Sequence, residues 1–410
     1  MGNSRQFAIA LSGGGYRASL FHLGALRRLN ELGFLGDAER ISSVSGGSIL
    51  AGHLADRMIE KGQFRPQFDD WETIVAAPFR RFVGKDIRTK MFIRYFGWNA
   101  FFPKHRAKAL ADAMYHRLTK RRLGELPKSG NGTEFLFLAT DIERAIMWQF
   151  GPREMSSYLL KKKLDSSKIS IARAVAASAC FPPIFGPIEF KTQDKSGSPL
   201  TAWLSDGGVY DNLGMEPVWK RRKYDLVMVS DGGATIDLKM PKYYVKRNLR
   251  YGSIAMDQVR ALRQRMFIAK VKRERMRPNG FRGTIWRNAS LRKSFQAEAE
   301  SAGKQRIQAM MDKGWYGYDD NDEGTVVNYV SKIRTDLDRF TTAECKILEN
   351  HGYFNADIAL RTFYPQYLDD KRRPFTLPHG ERRYTDEEEV RAALKHSHSV
   401  LSFWRRYRMR

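Results

Sequence analysis

Ser45 is the residue best placed to do covalent chemistry. It lies in Ser42-Ser43-Val44-Ser45-Gly46-Gly47-Ser48, at the central position of a G-x-S-x-G nucleophile elbow, with Gly47 completing the second half. The first half departs, because Ser43 stands where the pattern has glycine. Serine is small enough for the turn to survive, with higher local strain. A second run, Ser12-Gly13-Gly14-Gly15-Tyr16-Arg17, sets three small residues where successive backbone N–H groups can converge at the positive end of a helix dipole. Such a spot holds an anion, either a bound phosphate or an oxyanion that exists only during acyl transfer. The patterns G-x-G-x-x-G and Gly-Lys-Ser/Thr of nucleotide loops are not met. Plainer readings compete with both runs: a tight strand-to-helix turn for the glycines, and a helix cap for Ser42–Ser48.

A serine nucleophile needs a base. His22 and His53 fall on helices well past the two runs; eight residues separate His53 from Ser45, roughly 12 Å along a helix axis, too far for contact. His105, His116, His351, His379, His396 and His398 carry no local signature. Carboxylates are the other option. Asp206 and Asp231 each open an Asp-Gly-Gly triplet after a predicted strand, at the edge where ligands gather in open α/β sheets.

These residues need a scaffold of strands feeding helices. Residues 7–11 read as a short buried strand, and 16–33 as a helix whose apolar face includes Leu20, Leu23, Leu26 and Leu29 and which ends at Gly33. The unit repeats: 42–44 as the end of a strand, then 49–59 as a helix. Further strands are expected at 134–140, 145–150, 187–190, 202–204 and 225–230, the last being the clearest buried strand. Strands alternating with helices indicate an α/β sheet covered on both faces. From 242 to 277 the pattern becomes long, helical and very basic, and a mixed, mostly helical tail follows.

Composition limits the partners. With 410 residues, 42% of them hydrophobic, the chain can bury a sizeable core. Two cysteines, Cys180 and Cys345, make no disulfide framework or metal-ligand spacing. No secretory signal and no membrane-spanning run is present, so a soluble, cytoplasmic protein is expected. The formal charge of +26 attracts phosphates of some kind, on nucleic acid or on anionic lipid. Residues 79–122 hold 13 Lys/Arg against 2 Asp/Glu, with nine aromatics that include the run MFIRYFGWNAFF. Residues 242–282 hold another 13 against 2, and the tail adds SFWRRYRMR. Cations beside aromatic rings suit a bilayer interface and also nucleic acid; core packing is the plain reading of the aromatic run, and a solvated face that of the basic helix.

Together the motifs resemble those of the patatin-like phospholipases, over most of residues 7–235. SGGGYRA is similar to that family's oxyanion motif in its cytosolic phospholipase A2 variety, and SVSGGS to its nucleophile elbow. ARAVAASACFPPIFGP (172–187) resembles its Ala/Ser-rich helix ending in a Phe-Pro turn, and LSDGGVYDNLG (204–214) its catalytic aspartate segment. The segment FTTAECKILENHGYFNADIALR resembles tails of bacterial members, less specifically.

The resemblance implies a Ser-Asp dyad without histidine: Ser45 as nucleophile, Asp206 rather than Asp231 as base, and the amides of Gly13, Gly14 and Gly15 as oxyanion hole. Arg17 stands nearby, to steady the loop, to attract a lipid phosphate, or to pair with a carboxylate elsewhere. An unperturbed aspartate, with a pKa of about 3.9, is a poor base for an alcohol. Deprotonation must then accompany attack, and most of the rate must come from preorganised amides and substrate positioning. The expected fold is a three-layer α/β domain with a central, mostly parallel sheet over 1–235, bearing an aromatic and basic insertion at about 79–122, followed by a basic, largely helical region over 236–410. The expected activity is hydrolysis of acyl esters of phospholipids or lysophospholipids, without cofactor or metal. The alternatives are a neutral-lipid lipase, a thioesterase, an acyltransferase, or an inactive scaffold that binds nucleic acid. The expected partners are an acyl-lipid substrate and, peripherally, an anionic membrane surface.

Overall fold

The structure is a computed structural model that describes residues 7–87, 103–128, 130–157, 164–182, 184–193, 198–219, 224–233, 244–274, 277, 280–318, 325–368 and 373–398. MFIRYFGWNAFF (91–102), with Trp98 and Phe101, and SFWRRYRMR (402–410) lie outside the described residues.

The opening strand β1 (Phe7–Leu11) is buried along its whole length, as a strand with both faces covered must be. It pairs in parallel with β2 (Arg40–Val44) on one side and β9 (Leu226–Asp231) on the other. Parallel pairing continues from β2 to β3 (Glu134–Asp141) and from β9 to β10 (Arg282–Arg287). Beyond β3 the sheet turns antiparallel through β4 (Ile146–Phe150), β5 (Glu154–Ser157) and β6 (Leu164–Asp165). A hairpin of β7 (Ile188–Gln193) and β8 (Pro199–Asp206) joins it through β8, also antiparallel to β3.

One detail of register positions the chemistry. Val44, the last residue of β2, sits opposite Leu138 of β3, and Asp206, the last residue of β8, sits opposite the next residue, Ala139. Two strands running in opposite directions thus end against the same point of β3. One exits there at Ser45 and the other at Gly207.

Helix α1 (Gly15–Glu31) follows β1, and α2 (Gly46–Glu60) follows β2. Helix α3 (Ile171–Ala179) packs on α2 and β3 with its small Ala and Ser side chains. A 31-residue helix, α4 (Tyr244–Glu274), follows β9, and α5 (Thr342–Phe363) closes against α1. The α1–α5 crossing is close because it is glycine on glycine: a Cβ on Gly24 would lie 1.8 Å from the Glu349 carbonyl oxygen, and one on Gly352 1.8 Å from that of Phe21. Beside the crossing, Asp357 accepts from Arg28 (2.8 Å), Arg361 (2.6 Å) and the Tyr316 hydroxyl (2.5 Å), all buried.

The segment beyond 235 does not pack as a separate body. Its strand β10 extends the same sheet, and one hydrophobic cluster runs from Phe7 to Leu394. The reason is α5, which supplies the apolar cover that α1 needs on its outer face. Of the 79–122 insertion, the described parts are helices at Ala77–Val83 and Pro103–Arg117, with Phe79, Phe82, Leu110 and Met114 in the core.

Candidate active site

Ser45 sits between β2 and α2 at φ 50°, ψ −117°, a region that costs a non-glycine residue on the order of 1–3 kcal/mol. Such strain persists only where the surroundings impose it. Here the Ser45 N–H donates to Ser178 Oγ (3.0 Å), and the Ser178 hydroxyl donates to the Leu138 carbonyl (2.5 Å). Ser48 Oγ lies 2.8 Å from Ser178 Oγ and donates to Ser43 Oγ (3.0 Å), which in turn donates to the Leu136 carbonyl (3.0 Å). Ser43, where the elbow pattern has glycine, therefore turns its hydroxyl into the sheet and belongs to the brace behind Ser45. A Cβ on Gly46 would lie 2.2 Å from the Gly15 carbonyl oxygen, so only glycine lets the elbow and the glycine loop touch.

Asp206 is buried at the end of β8. Its Oδ1 accepts the Gly208 N–H at 2.7 Å. Its Oδ2 makes no regular hydrogen bond among the described residues, and the one side chain acting on the carboxylate is the Ser45 hydroxyl. Burial raises the carboxyl from its ordinary 3.8 to about 7, against the smaller lowering effects of Ser45 and the Gly208 amide. A pKa near neutrality is what a general base working at neutral pH needs. Deprotonation of an alcohol by this carboxylate is correspondingly less uphill than by an unperturbed aspartate.

The glycine loop is knotted to both segments. Ser12 carries its carbonyl to the Gly47 N–H (3.1 Å) and its hydroxyl to the Gly232 N–H (2.8 Å). Gly14 and Gly15 have φ of 141° and 58°, open to glycine. The three amides are not equivalent. The Gly13 N–H donates to the Asn212 carbonyl at 2.9 Å, so this amide is engaged by the backbone that follows Asp206. The amides of Gly14 and Gly15 have no such partner among the described residues.

Arg17 is buried under the loop. Its Nε donates to the Gly232 carbonyl (3.1 Å) and Nη1 to the Ile333 carbonyl (2.8 Å), while Nη2 has no hydrogen-bond partner among the described residues. Burial, then the neighbouring Arg260, lower its pKa to about 10, and Asp231 partly offsets this. The hydrogen bonds of Arg17 go to backbone carbonyls, so it ties the start of α1 to the end of β9 at Gly232 and to the segment at Ile333.

Ser45, Asp206, Arg17 and the three glycines line one cavity of about 340 Å³. Phe181, Ile184 and Phe185 form an apolar wall, α4 supplies Arg250, Ser253 and Met256, and Thr335–Leu337 complete the rim. Another cavity, of about 390 Å³ between α4, β10 and the end of α5, contains neither Ser45 nor Asp206. Among the described residues, no histidine lines the cavity that holds the serine. His22 bridges Ser230 Oγ (2.7 Å) and the Ser12 carbonyl (3.0 Å), His53 donates to the Val75 carbonyl (2.9 Å), and burial lowers both to about 4, leaving them neutral. Asp231 is tied to the Gly233 N–H (2.9 Å) and to Gln264 (2.7 Å), with Arg260 at 3.7 Å, and so anchors α4.

No residue motif singled out Ser178, and Asn212 stood only as the asparagine downstream of Asp206 in LSDGGVYDNLG. Ser178 lies in an Ala/Ser-rich helix, whose evident signal was only small size. Asn212 acts through its carbonyl, which no side-chain pattern records.

Against known proteins, the model of the patatin-like phospholipase family matches residues 9–219, a span that holds the glycine loop, Ser45 and Asp206. No curated protein sequence matches the chain. Among solved structures, human GIVD cytosolic phospholipase A2 aligns at 13% identity and a TM-score of 0.41, over 96% of this chain and 61% of that one. Its complex with methyl gamma-linolenyl fluorophosphonate aligns at 15% identity and a TM-score of 0.43, over 96% and 59%. VipD from Legionella pneumophila aligns at 14% identity and a TM-score of 0.35, over 96% and 74%. The chain spans about 61% of the human enzyme's length.

Proposed function

We propose that this chain, which belongs to the patatin-like phospholipase family, hydrolyses acyl esters of phospholipids or lysophospholipids through an acyl-enzyme on Ser45, with Asp206 as base. The observation that carries the reading is the pair itself: a serine held at positive φ on a strand-to-helix turn, beside a buried carboxylate whose pKa lies near 7. As Ser45 Oγ attacks the ester carbonyl carbon, its proton passes to Asp206. The carbonyl oxygen becomes an oxyanion, stabilised by the amides of Gly14 and Gly15 at the N-terminus of α1. Collapse breaks the bond to the leaving alcohol, which takes the proton from Asp206. Water, deprotonated by the same carboxylate, then attacks the acyl-serine and releases the fatty acid, returning the proton to Ser45.

The apolar wall of Phe181, Ile184 and Phe185 suits an acyl chain. Arg17 acts in this reading as a positioning residue that holds the glycine loop. The test is mass spectrometry of products from phospholipid in mixed micelles, together with fluorophosphonate labelling, for wild type and Ser45→Ala. Fatty acid release and label are expected from wild type and from neither assay with Ser45→Ala. Retention of both in the variant would refute the assignment.

A further inference from the structure

Helix α4 buries Phe267 on its inner face, as a surface helix does, but is apolar on its outer face as well. Among the described residues eleven large apolar side chains are exposed, and five of them lie on this one helix: Tyr251 (70% exposed), Ile254 (41%), Val259 (39%), Leu262 (52%) and Met266 (57%). At 100° per residue they fall within an arc of roughly 140°. The same arc carries exposed Ala255 and Ala269, and Arg247, Arg265, Lys272 and Arg273 stand exposed on it and at its ends. No acidic residue of the helix stands on this face: Asp257 is paired with Arg260 at 3.2 Å, and Glu274 is buried. The inner face, by contrast, is anchored by polar bonds. Gln264 holds Asp231 (2.7 Å), Arg263 holds Glu216 (2.8 Å) and Lys270 donates to the Trp219 carbonyl (2.9 Å).

We propose that the outer face of α4 lies on an anionic lipid bilayer, its apolar side chains entering the headgroup–acyl boundary and its flanking cations meeting lipid phosphates. The proposal rests on the lipid-hydrolase reading only for its purpose, the delivery of substrate. Its physical basis is a contiguous apolar stripe of a kind that marks interaction sites, edged by cations and carrying no acidic side chain of the helix on its outer arc, as in helices that lie in the plane of a membrane interface. No helix among the described residues is long and apolar enough to cross a bilayer, so the geometry is that of lying on it. A length of about 46 Å for 31 residues would bring the whole stripe to one surface. The opposite side of the N-terminal half of α4 walls the candidate catalytic cavity, through Arg250, Ser253 and Met256, so a docked helix holds that cavity within about one helix diameter of the lipid. A second copy of the chain fits the stripe less well, because a symmetric pairing would bring like cations together. Nucleic acid fits less well because Ile, Val, Leu and Met have no ring on which a base can stack.

The test uses the full chain carrying Ser45→Ala, so that binding is read without catalysis. Co-sedimentation with phosphatidylcholine vesicles containing phosphatidylglycerol should show binding that weakens with salt and exceeds that to phosphatidylcholine alone. Leu262→Glu/Met266→Glu should lower the partition coefficient at least about tenfold, and Arg265→Gln should weaken binding to the anionic vesicles only. Because Cys180 and Cys345 are buried, an environment-sensitive thiol dye at Met266→Cys should shift to the blue on vesicles, whereas the same dye at Phe64→Cys should not. Unchanged binding in the double variant, or no dye shift at Met266→Cys, would overturn the proposal. So would a dimer dispersed by the double variant with no vesicle binding, or retention on an oligonucleotide alone. Hydrolysis of a short soluble ester by otherwise wild-type chain, with and without Leu262→Glu/Met266→Glu, keeps the two readings separate. No ester hydrolysis defeats the enzyme reading and leaves the surface standing, whereas hydrolysis without vesicle binding does the reverse.

Discussion

Replacing Asp206 by asparagine should make the protein more stable while abolishing its activity, and the gain should depend on pH. The carboxyl titrates near 7 in the folded chain because burial penalises its charge, against 3.8 for an ordinary aspartate. Between about pH 4 and about pH 7 the folded chain therefore holds a proton that the unfolded chain has lost. Stability falls as pH rises through that window and levels off above it. A gap of about three pH units, at about 1.4 kcal/mol each, makes the cost on the order of 4 kcal/mol at pH 8. Asparagine keeps the acceptor for the Gly208 N–H and has no charge to bury.

The assay is denaturant or thermal unfolding of both proteins from pH 4 to pH 8. All other groups titrate in both chains, so their contributions cancel in the difference. The two proteins should be nearly equal at pH 4, and the variant should gain steadily to pH 8. With about 2.1 cal/mol/K per residue over 410 residues, 4 kcal/mol corresponds to about 5 °C. On the proposed mechanism, in which the ionised carboxylate is the base, wild-type ester hydrolysis should rise with an apparent pKa of about 7. A stability difference that stays flat from pH 5 to pH 8, or a variant less stable than wild type at pH 8, would refute the argument that burial sets the base.

Ser178→Ala removes the acceptor of the Ser45 N–H and should lower stability by about 1–3 kcal/mol and kcat about tenfold with little change in KM, measured on a soluble ester. Asp231→Asn puts an amide donor against Gln264; it should lower stability by about 1–3 kcal/mol while leaving fluorophosphonate labelling of Ser45 intact. Asp357→Ala removes the buried carboxylate that Arg28 and Arg361 share and should cost about 3–5 kcal/mol in equilibrium unfolding. Gly352→Ala, whose Cβ would meet the Phe21 carbonyl at 1.8 Å, should prevent the α1–α5 crossing from closing. Gly252→Ala, in open space on α4, should stabilise by about 0.4–1 kcal/mol in the same unfolding measurement.

Much of the site was legible because its parts are local. The strand, the three glycines and the helix lie within 25 residues of one another, from Phe7 to Glu31, and the elbow follows the next strand. What was not legible depends on contacts between distant segments. Gly13 has the same residue type as Gly14, yet its amide is consumed by the carbonyl of Asn212, 199 positions away. Strand β10 is an edge strand of only six residues with arginine at both ends, and nothing in RGTIWR distinguishes it from a loop without β9 beside it. The stripe on α4 was hidden for another reason. The inner face carries Met256, Phe267 and Ile268 as well, so apolar residues occur all round the helix and no single face stood out. Only once Gln264 and Phe267 are seen to be buried do Leu262 and Met266 count as outward.

The two Asp-Gly-Gly triplets show how far a motif goes. Asp206 and Asp231 are both buried last residues of strands, and each accepts the amide two residues on, at 2.7 and 2.9 Å. Locally they are the same structure. They differ in what meets the second oxygen, and that is decided by strand direction. Strand β9 runs parallel to β1 and ends where α4 crosses, so Gln264 occupies its carboxylate. Strand β8 runs antiparallel to β3, in line with β2 but from the opposite end, so its last residue arrives where β2 must turn. There the neighbour is the elbow serine, and the other contacts are backbone and small side chains that cannot supply a counter-charge. The environment that leaves Asp206 uncompensated, and so destabilising, is the one that leaves its carboxylate basic enough to take a proton from an alcohol.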